Sequence, residues 1–169
     1  MNKQEENIKF KGIIEENKGL FLKVARAYCS NEEDRQDLLQ EIMIQVWRSL
    51  DKFSNQSKIS TWLYRISLNV AISFYRKNST RENKYIELSK HTEQFSTDDK
   101  TETEQQLHLL EQFISELKEI DKALILLYLE DKSHIEIADI LGISTTNVGT
   151  KIGRIKNKLK HRFLNLNLE

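Results

Sequence analysis

Apolar residues recur along this chain at three- and four-residue steps, and that rhythm predicts helices rather than strands. Phe10, Ile13, Ile14, Leu20, Phe21, Val24 and Tyr28 predict a first helix over 4–28. Ser30 and Glu33 have the spacing of a capping box, and Glu32, Glu33 and Asp34 suit the positive end of a helix dipole. A second helix over 31–50 follows from Leu38, Ile42, Val46 and Leu50, with Leu39, Met43 and Trp47 widening the stripe. The polar stretch DKFSNQS is a loop, and Ile59, Leu63, Ile66, Val70 and Phe74 predict a third helix over 58–77. The rhythm then fails over 79–103. It resumes with Leu107, Leu110, Ile114 and Leu117, and again with Ile120, Ala123, Leu124, Leu127 and Tyr128.

The last stretch is the most informative. A short amphipathic segment carries Ile135, Ile137, Ala138, Ile140 and Leu141, opened by Asp131 or Ser133 and closed by Gly142, which tolerates a left-handed turn. Ser144 is a good N-cap. Val148, Ile152, Ile155 and Leu159 then form one helical face, while Asn147, Lys151, Arg154 and Lys158 repeat at the same spacing about 100° around the helix. Short helix, glycine turn and longer basic helix make up a helix-turn-helix, whose second helix suits the major groove of DNA. Two packed helices with a solvated basic face is the plainer alternative.

The expected fold is therefore all-α: two small helical domains joined by a flexible linker, the second ending in the helix-turn-helix. The expected bounds are 1–78, 79–103 and 104–169. The absence of proline and the presence of only 5 glycines in 169 residues disfavour a turn-rich β fold. Apolar residues make up 38% of the chain and charged residues 31%, as in water-exposed helical proteins.

Charge changes the picture. The formal net charge is zero, but it is unevenly spread: +4 over 1–90, −6 over 91–116 and +2 over 117–169. Neither end has the charge of a strong autonomous DNA binder. The third predicted helix carries a second stripe of Lys58, Trp62, Arg65, Asn69 and Arg76, with Lys77 beside it. Aromatics that stack bases and cations that hold phosphates form single-strand surfaces. Trp62 as core, with solubilising cations around it, is the other reading of the same stripe.

Three segments together resemble the RNA polymerase sigma factors of the compact extracytoplasmic-function group. DRQDLLQEIMIQVWRSLDKF, with its D-x-x-Q-E centre, resembles the region two helix. STWLYRISLNVAISFYRK resembles the segment carrying W-L-Y-R-I-x-x-N, and IEIADILGISTTNVGTKIGRIKNKL resembles region four. The resemblance implies a sigma subunit that binds core RNA polymerase, recognises the −10 and −35 promoter elements and promotes melting. It assigns Asp34, Asp37, Gln40, Glu41, Arg48 and Asp51 to polymerase docking. It assigns Lys58, Trp62, Arg65, Asn69, Arg76 and Lys77 to the −10 element, and Thr145, Thr146, Asn147, Lys151, Arg154 and Lys158 to the −35 element. Gly149 stands where the family usually has a basic residue, and Gly153 where it often has a polar one. The linker acids Asp98, Asp99, Glu102 and Glu104 either occupy a channel meant for RNA or belong to a solvated tether. A free-standing helix-turn-helix regulator, binding palindromes without polymerase, is the alternative function.

Catalysis is not expected. His91, His108, His134 and His161 are dispersed without metal-ligand spacing, no glycine-rich phosphate loop is present, and no cofactor is implied. The expected partners are core polymerase and promoter DNA, and the linker leaves room for an anti-sigma factor clamping both modules. The charged opening MNKQEENIKFKG lacks the apolar stretch of a secretory leader, and no run is long enough to insert into a membrane. Cys29, the single cysteine, reads as a buried structural thiol; with no internal disulfide, a cytoplasmic address is expected.

Overall fold

The computed structural model describes residues 3–54, 56–82 and 102–166. Among these, helices α1 (Lys3–Glu16), α2 (Lys18–Tyr28), α3 (Glu32–Ser49) and α4 (Ile59–Glu82) form one cluster. Helices α5 (Glu102–Ser115), α6 (Glu119–Leu129), α7 (His134–Leu141) and α8 (Thr145–Leu166) form a second. The all-α expectation holds, with a helix-turn-helix in the second cluster. Most of the polar connector expected over 79–103 lies outside the described residues.

The first cluster packs α2, α3 and α4 against one another around Phe21, Val24, Leu38, Ile42, Val46, Leu63 and Leu68. Each is almost fully shielded, and burial of a side chain of this size contributes roughly 1.5–3 kcal/mol. The single helix expected over 4–28 is broken at Asn17. Its side-chain amide donates to the Ile13 carbonyl at 2.9 Å, ending α1, and its own carbonyl receives the Leu20 N–H at 3.0 Å. The cap of α3 is also one residue later than expected. Asn31, rather than Ser30, accepts the Asp34 N–H at 2.7 Å. An asparagine amide oxygen competes well with a serine hydroxyl for this position.

The buried face of α4 is wider than the stripe read from the sequence. Leu63 and Phe74 are buried as expected, but Ile59, Ile66 and Val70 are only partly covered, while Tyr64, Ser67, Leu68, Ala71 and Ile72 are buried. The reason is tertiary: α4 packs on α2 and α3 from one side and on α6 and α7 from another.

The second cluster surrounds Leu117, Leu124, Leu127, Ile137, Ile140, Val148, Ile152, Ile155 and Leu159. Its turns are well specified. Helix α6 ends with Asp131 at φ 54°, where the Lys132 N–H reaches back to the Leu127 carbonyl and the Asp131 N–H to that of Tyr128. Asp is one of the few non-glycine residues that visit this region. Ser133 and Glu136 form a reciprocal capping box at the start of α7. Gly142, at φ 68°, closes α7 and turns the chain into α8.

Candidate nucleic-acid interface

Helix α8 buries Val148, Ile152, Ile155 and Leu159 against α6 and α7, as the periodicity requires. The Ser144 hydroxyl accepts the Asn147 N–H at 3.2 Å and caps the helix. With that face pinned, Thr145, Thr146, Asn147, Arg154 and Lys158 are exposed along the opposite side. Lys151 differs from them. It is half-buried, with its ammonium 4.0 Å from an Asp121 carboxylate oxygen of its own cluster. Other cations of α8 have structural work: Lys156 donates to the Tyr128 hydroxyl at 3.2 Å, and Arg162 pairs with Glu116 over the Phe113 ring. A Cβ on Gly149 would meet the His134 ring at 3.6 Å, an ordinary contact, and one on Gly153 would meet nothing, so packing requires neither glycine.

The α4 edge is only partly open. Asn69 and Lys77 are exposed. Trp62 is half-buried with its ring centroid 4.9 Å from that of Phe53, so it both packs and presents an edge. The other three cations, Lys58, Arg65 and Arg76, face the second cluster. Arg65 donates to the Asp139 carbonyl at 2.8 Å and to its carboxylate at 2.9 Å. Arg76 donates to the Glu119 carboxylate at 2.7 Å, and Lys58 lies 3.7 Å from that of Glu136. The hydrogen bond from Arg76 is the main reason that the Glu119 carboxyl sits below its usual range. Glu136 is lowered chiefly by the Ser133 N–H of the capping box.

The same junction holds Lys23 against Glu130 at 2.6 Å, the Tyr64 hydroxyl on Glu130 at 3.3 Å, and the Tyr28 hydroxyl on the Glu119 carbonyl at 2.5 Å. Burial pushes both tyrosine hydroxyls well above their usual range. Lys122, 2% exposed, sets its ammonium 4.3 Å from the Tyr75 ring centroid and 5.7 Å from that of Tyr28. Burial lowers its pKa, and the nearby Cys29 and Glu119 oppose that shift.

A third surface lies on α3. Asp37, Gln40, Glu41 and Arg48 share one exposed face, continued by Asp51 in the following turn. Asp34 is drawn into the cap, where the Asn31 amide donates to its carboxylate at 2.7 Å. Ile44, 50% exposed, sits in the middle of this polar face and was not among the residues singled out by periodicity. Its spacing from Gln40 and Arg48 is the signal that could have found it.

Two family descriptions match this chain: Sigma-70 region 2 over residues 13–81 and Sigma-70 region 4 over residues 107–159. The RNA polymerase sigma factor SigV of Bacillus subtilis (strain 168) is 30% identical over 142 residues, covering 83% of this chain and 82% of SigV. The chain belongs to the RNA polymerase sigma factors. Its two-module layout is that of the extracytoplasmic-function group. Two solved structures share the fold. CnrH in complex with the cytosolic domain of CnrY superposes with a TM-score of 0.65 at 22% identity, covering 91% of this chain and 86% of CnrH. The sigma factor RpoE in complex with the anti-sigma factor NepR, from Bartonella quintana, gives 0.62 at 20% identity, covering 90% and 95%.

As a sigma factor the protein is a polymerase subunit and not an enzyme in its own right, and the free-standing regulator gives way to this assignment. Among the described residues no group of three or more His, Cys, Asp or Glu could hold a metal ion. The cytoplasmic address expected from the sequence needs correction. The similar factor CnrH is solved on the cytosolic domain of another protein, so a partner can set where such a factor resides. A lone cysteine and a charged opening stretch do not decide it. What stands is narrower: among the described residues no helix is long and apolar enough to cross a membrane.

Proposed function

We propose that this sigma factor docks on core RNA polymerase through the outer face of α3, reads the −35 element as duplex with α8, and captures the −10 element as single strand along α4. The observation that carries the reading is the division between two separate basic surfaces. The start of α8 offers short polar side chains followed by Arg154 and Lys158, all exposed, a set suited to base edges and phosphates in a major groove. The α4 edge instead combines an indole, an amide and cations, which suits unpaired bases and their phosphates. Domain bounds of 1–78 and 104–169, with an acidic tether between, complete the proposal: a tether lets both surfaces reach one promoter.

The α3 face supplies orientation. Asp37, Gln40, Glu41, Arg48 and Asp51 give a charged rim around the apolar Ile44, the usual layout of a protein–protein contact. An anti-sigma factor is the further partner we assign, supported by the complex of the similar factor RpoE with NepR.

Transcription in vitro with purified core enzyme and genomic promoter fragments tests the reading. Discrete, factor-dependent start sites are expected. Arg154→Ala should weaken promoter use by about 5- to 150-fold, the worth of one good base contact, while core binding is kept. Lys151→Ala should do less, since its ammonium is partly engaged by Asp121. Equal loss of core binding in Arg154→Ala, or no factor-dependent start sites, would overturn the assignment.

A further inference from the structure

A buried cation without a counter-charge stands where the two clusters meet. Lys122, near the start of α6, is only 2% exposed. Among the described residues its ammonium has no hydrogen bond and no ion pair; it rests instead against the rings of Tyr75 and Tyr28, 4.3 and 5.7 Å from their centroids. A buried charge is costly unless it is paired. The acids near it are engaged elsewhere. Glu119 accepts from Arg76 at 2.7 Å, and the Asp34 carboxylate accepts from the Asn31 amide at 2.7 Å. The first turn of α6 is also the positive end of that helix's dipole, where a cation is disfavoured.

Lys122 lines a cavity of about 220 Å³ bounded by residues of both clusters. Tyr28, Phe74 and Tyr75 give it aromatic walls, the Asn78 amide adds a polar group, and the exposed Arg26 stands at its mouth. We infer that this cavity binds a small organic monoanion, with a carboxylate on the Lys122 ammonium and an apolar body between the rings.

The chemistry of the walls selects that class. One buried positive charge is balanced by one negative charge. A phosphate dianion needs further buried cations, and Arg26, the other cation on the wall, is exposed. A single water needs only about 10–15 Å³ of such space, so a simple inorganic ion is too small to fill the cavity. An apolar pocket with a few convergent polar groups and a titratable group perturbed by burial is the general form of a ligand site. Burial lowers the Lys122 pKa, and a carboxylate seated on the ammonium favours its charged form. Because the walls come from both clusters, occupancy stabilises their packing by mass action. The arrangement of the factor then answers to the concentration of a small anion.

Calorimetric titration of the full chain with benzoate, hexanoate, benzyl alcohol and inorganic phosphate tests the site. Saturable one-to-one binding of benzoate or hexanoate is expected at millimolar concentration or below, with a higher thermal midpoint. Benzyl alcohol should bind at least about tenfold more weakly than benzoate, the worth of one hydrogen bond to a charged group. Lys122→Met keeps the length of the side chain and removes the buried charge. It should fold with an unchanged or higher thermal midpoint and lose carboxylate binding by at least about tenfold. Asn78→Asp leaves the lysine in place and should weaken binding by repulsion at the wall. Neither carboxylate binding at millimolar concentration, or undiminished binding in Lys122→Met and Asn78→Asp, overturns the inference. Phosphate or benzyl alcohol binding as tightly as benzoate overturns the assigned class. Carboxylate binding that appears only in Cys29→Ser also overturns it, because the Cys29 thiolate is then the counter-charge of the ammonium; equal binding in wild type and Cys29→Ser supports the carboxylate site.

Discussion

Ile44 is half exposed amid Asp37, Gln40, Glu41 and Arg48, and a branched apolar side chain in such surroundings gains little from folding. The contribution we propose for it is to binding core polymerase. Ile44→Ala should alter folding stability by no more than about 0.5 kcal/mol, as for other surface sites. It should weaken binding to core polymerase by more than about 1 kcal/mol, roughly fivefold or more, as a central apolar anchor does. Thermal unfolding and competition binding with labelled core enzyme measure the two. Equal core affinity would remove α3 from the docking surface. At this scale the sequence was legible wherever a residue's role is local. Ser144, Gly142 and the Val148–Leu159 stripe do what their spacing requires, because caps, turns and helical faces are decided within a few residues. It was illegible for Trp62, whose contact with Phe53 depends on how the preceding loop folds back.

Helix α8 carries a deliberate-looking weakness of its own. Gly153 is exposed on a 22-residue helix with open space where a Cβ would stand. Glycine in a helix interior costs about 1 kcal/mol against alanine. Gly153→Ala should therefore raise stability by up to about 1 kcal/mol, read as a higher denaturant midpoint with an unchanged slope. If promoter use falls while stability rises, the glycine serves close approach to DNA; if both rise or promoter use is unchanged, it is only local weakness. Helix boundaries show the limits of periodicity at this scale. The apolar stripe runs through Asn17 without interruption, yet the chain breaks there because the asparagine amide captures the Ile13 carbonyl. Helix α4 runs on to Glu82, past its expected end near Lys77, since nothing in the sequence stops it.

For the whole molecule, the ion pairs between the clusters link shape to pH. Glu119 has a lowered pKa with the clusters packed together because Arg76 donates to it. A carboxyl lowered in this way binds fewer protons with the clusters packed than with them apart. Its contribution to their packing is complete above the ordinary carboxylate range and is lost as pH falls through its lowered value. Scattering from neutral pH down to about 3 should show the chain expanding at the acid end of that range, and Glu119→Gln should lose part of this dependence. A compact wild type throughout would mean that apolar contacts and the Lys122 seat, rather than charge, hold the clusters together.

The sequence by itself determined the helices, the helix-turn-helix, the outward side of α8 and the membership of the family. Those follow from hydrophobic spacing, capping chemistry and motif order, all short-range properties. The tertiary structure decided which polar side chains along the α4 edge stay open. Lys58, Arg65 and Asn69 have the same standing in a helical stripe, yet two of them meet carboxylates of the second cluster and Asn69 faces outward. Arg65 and Asp139 are 74 positions apart. No periodicity links residues so distant; only the packing of α7 on α4 brings their charges together.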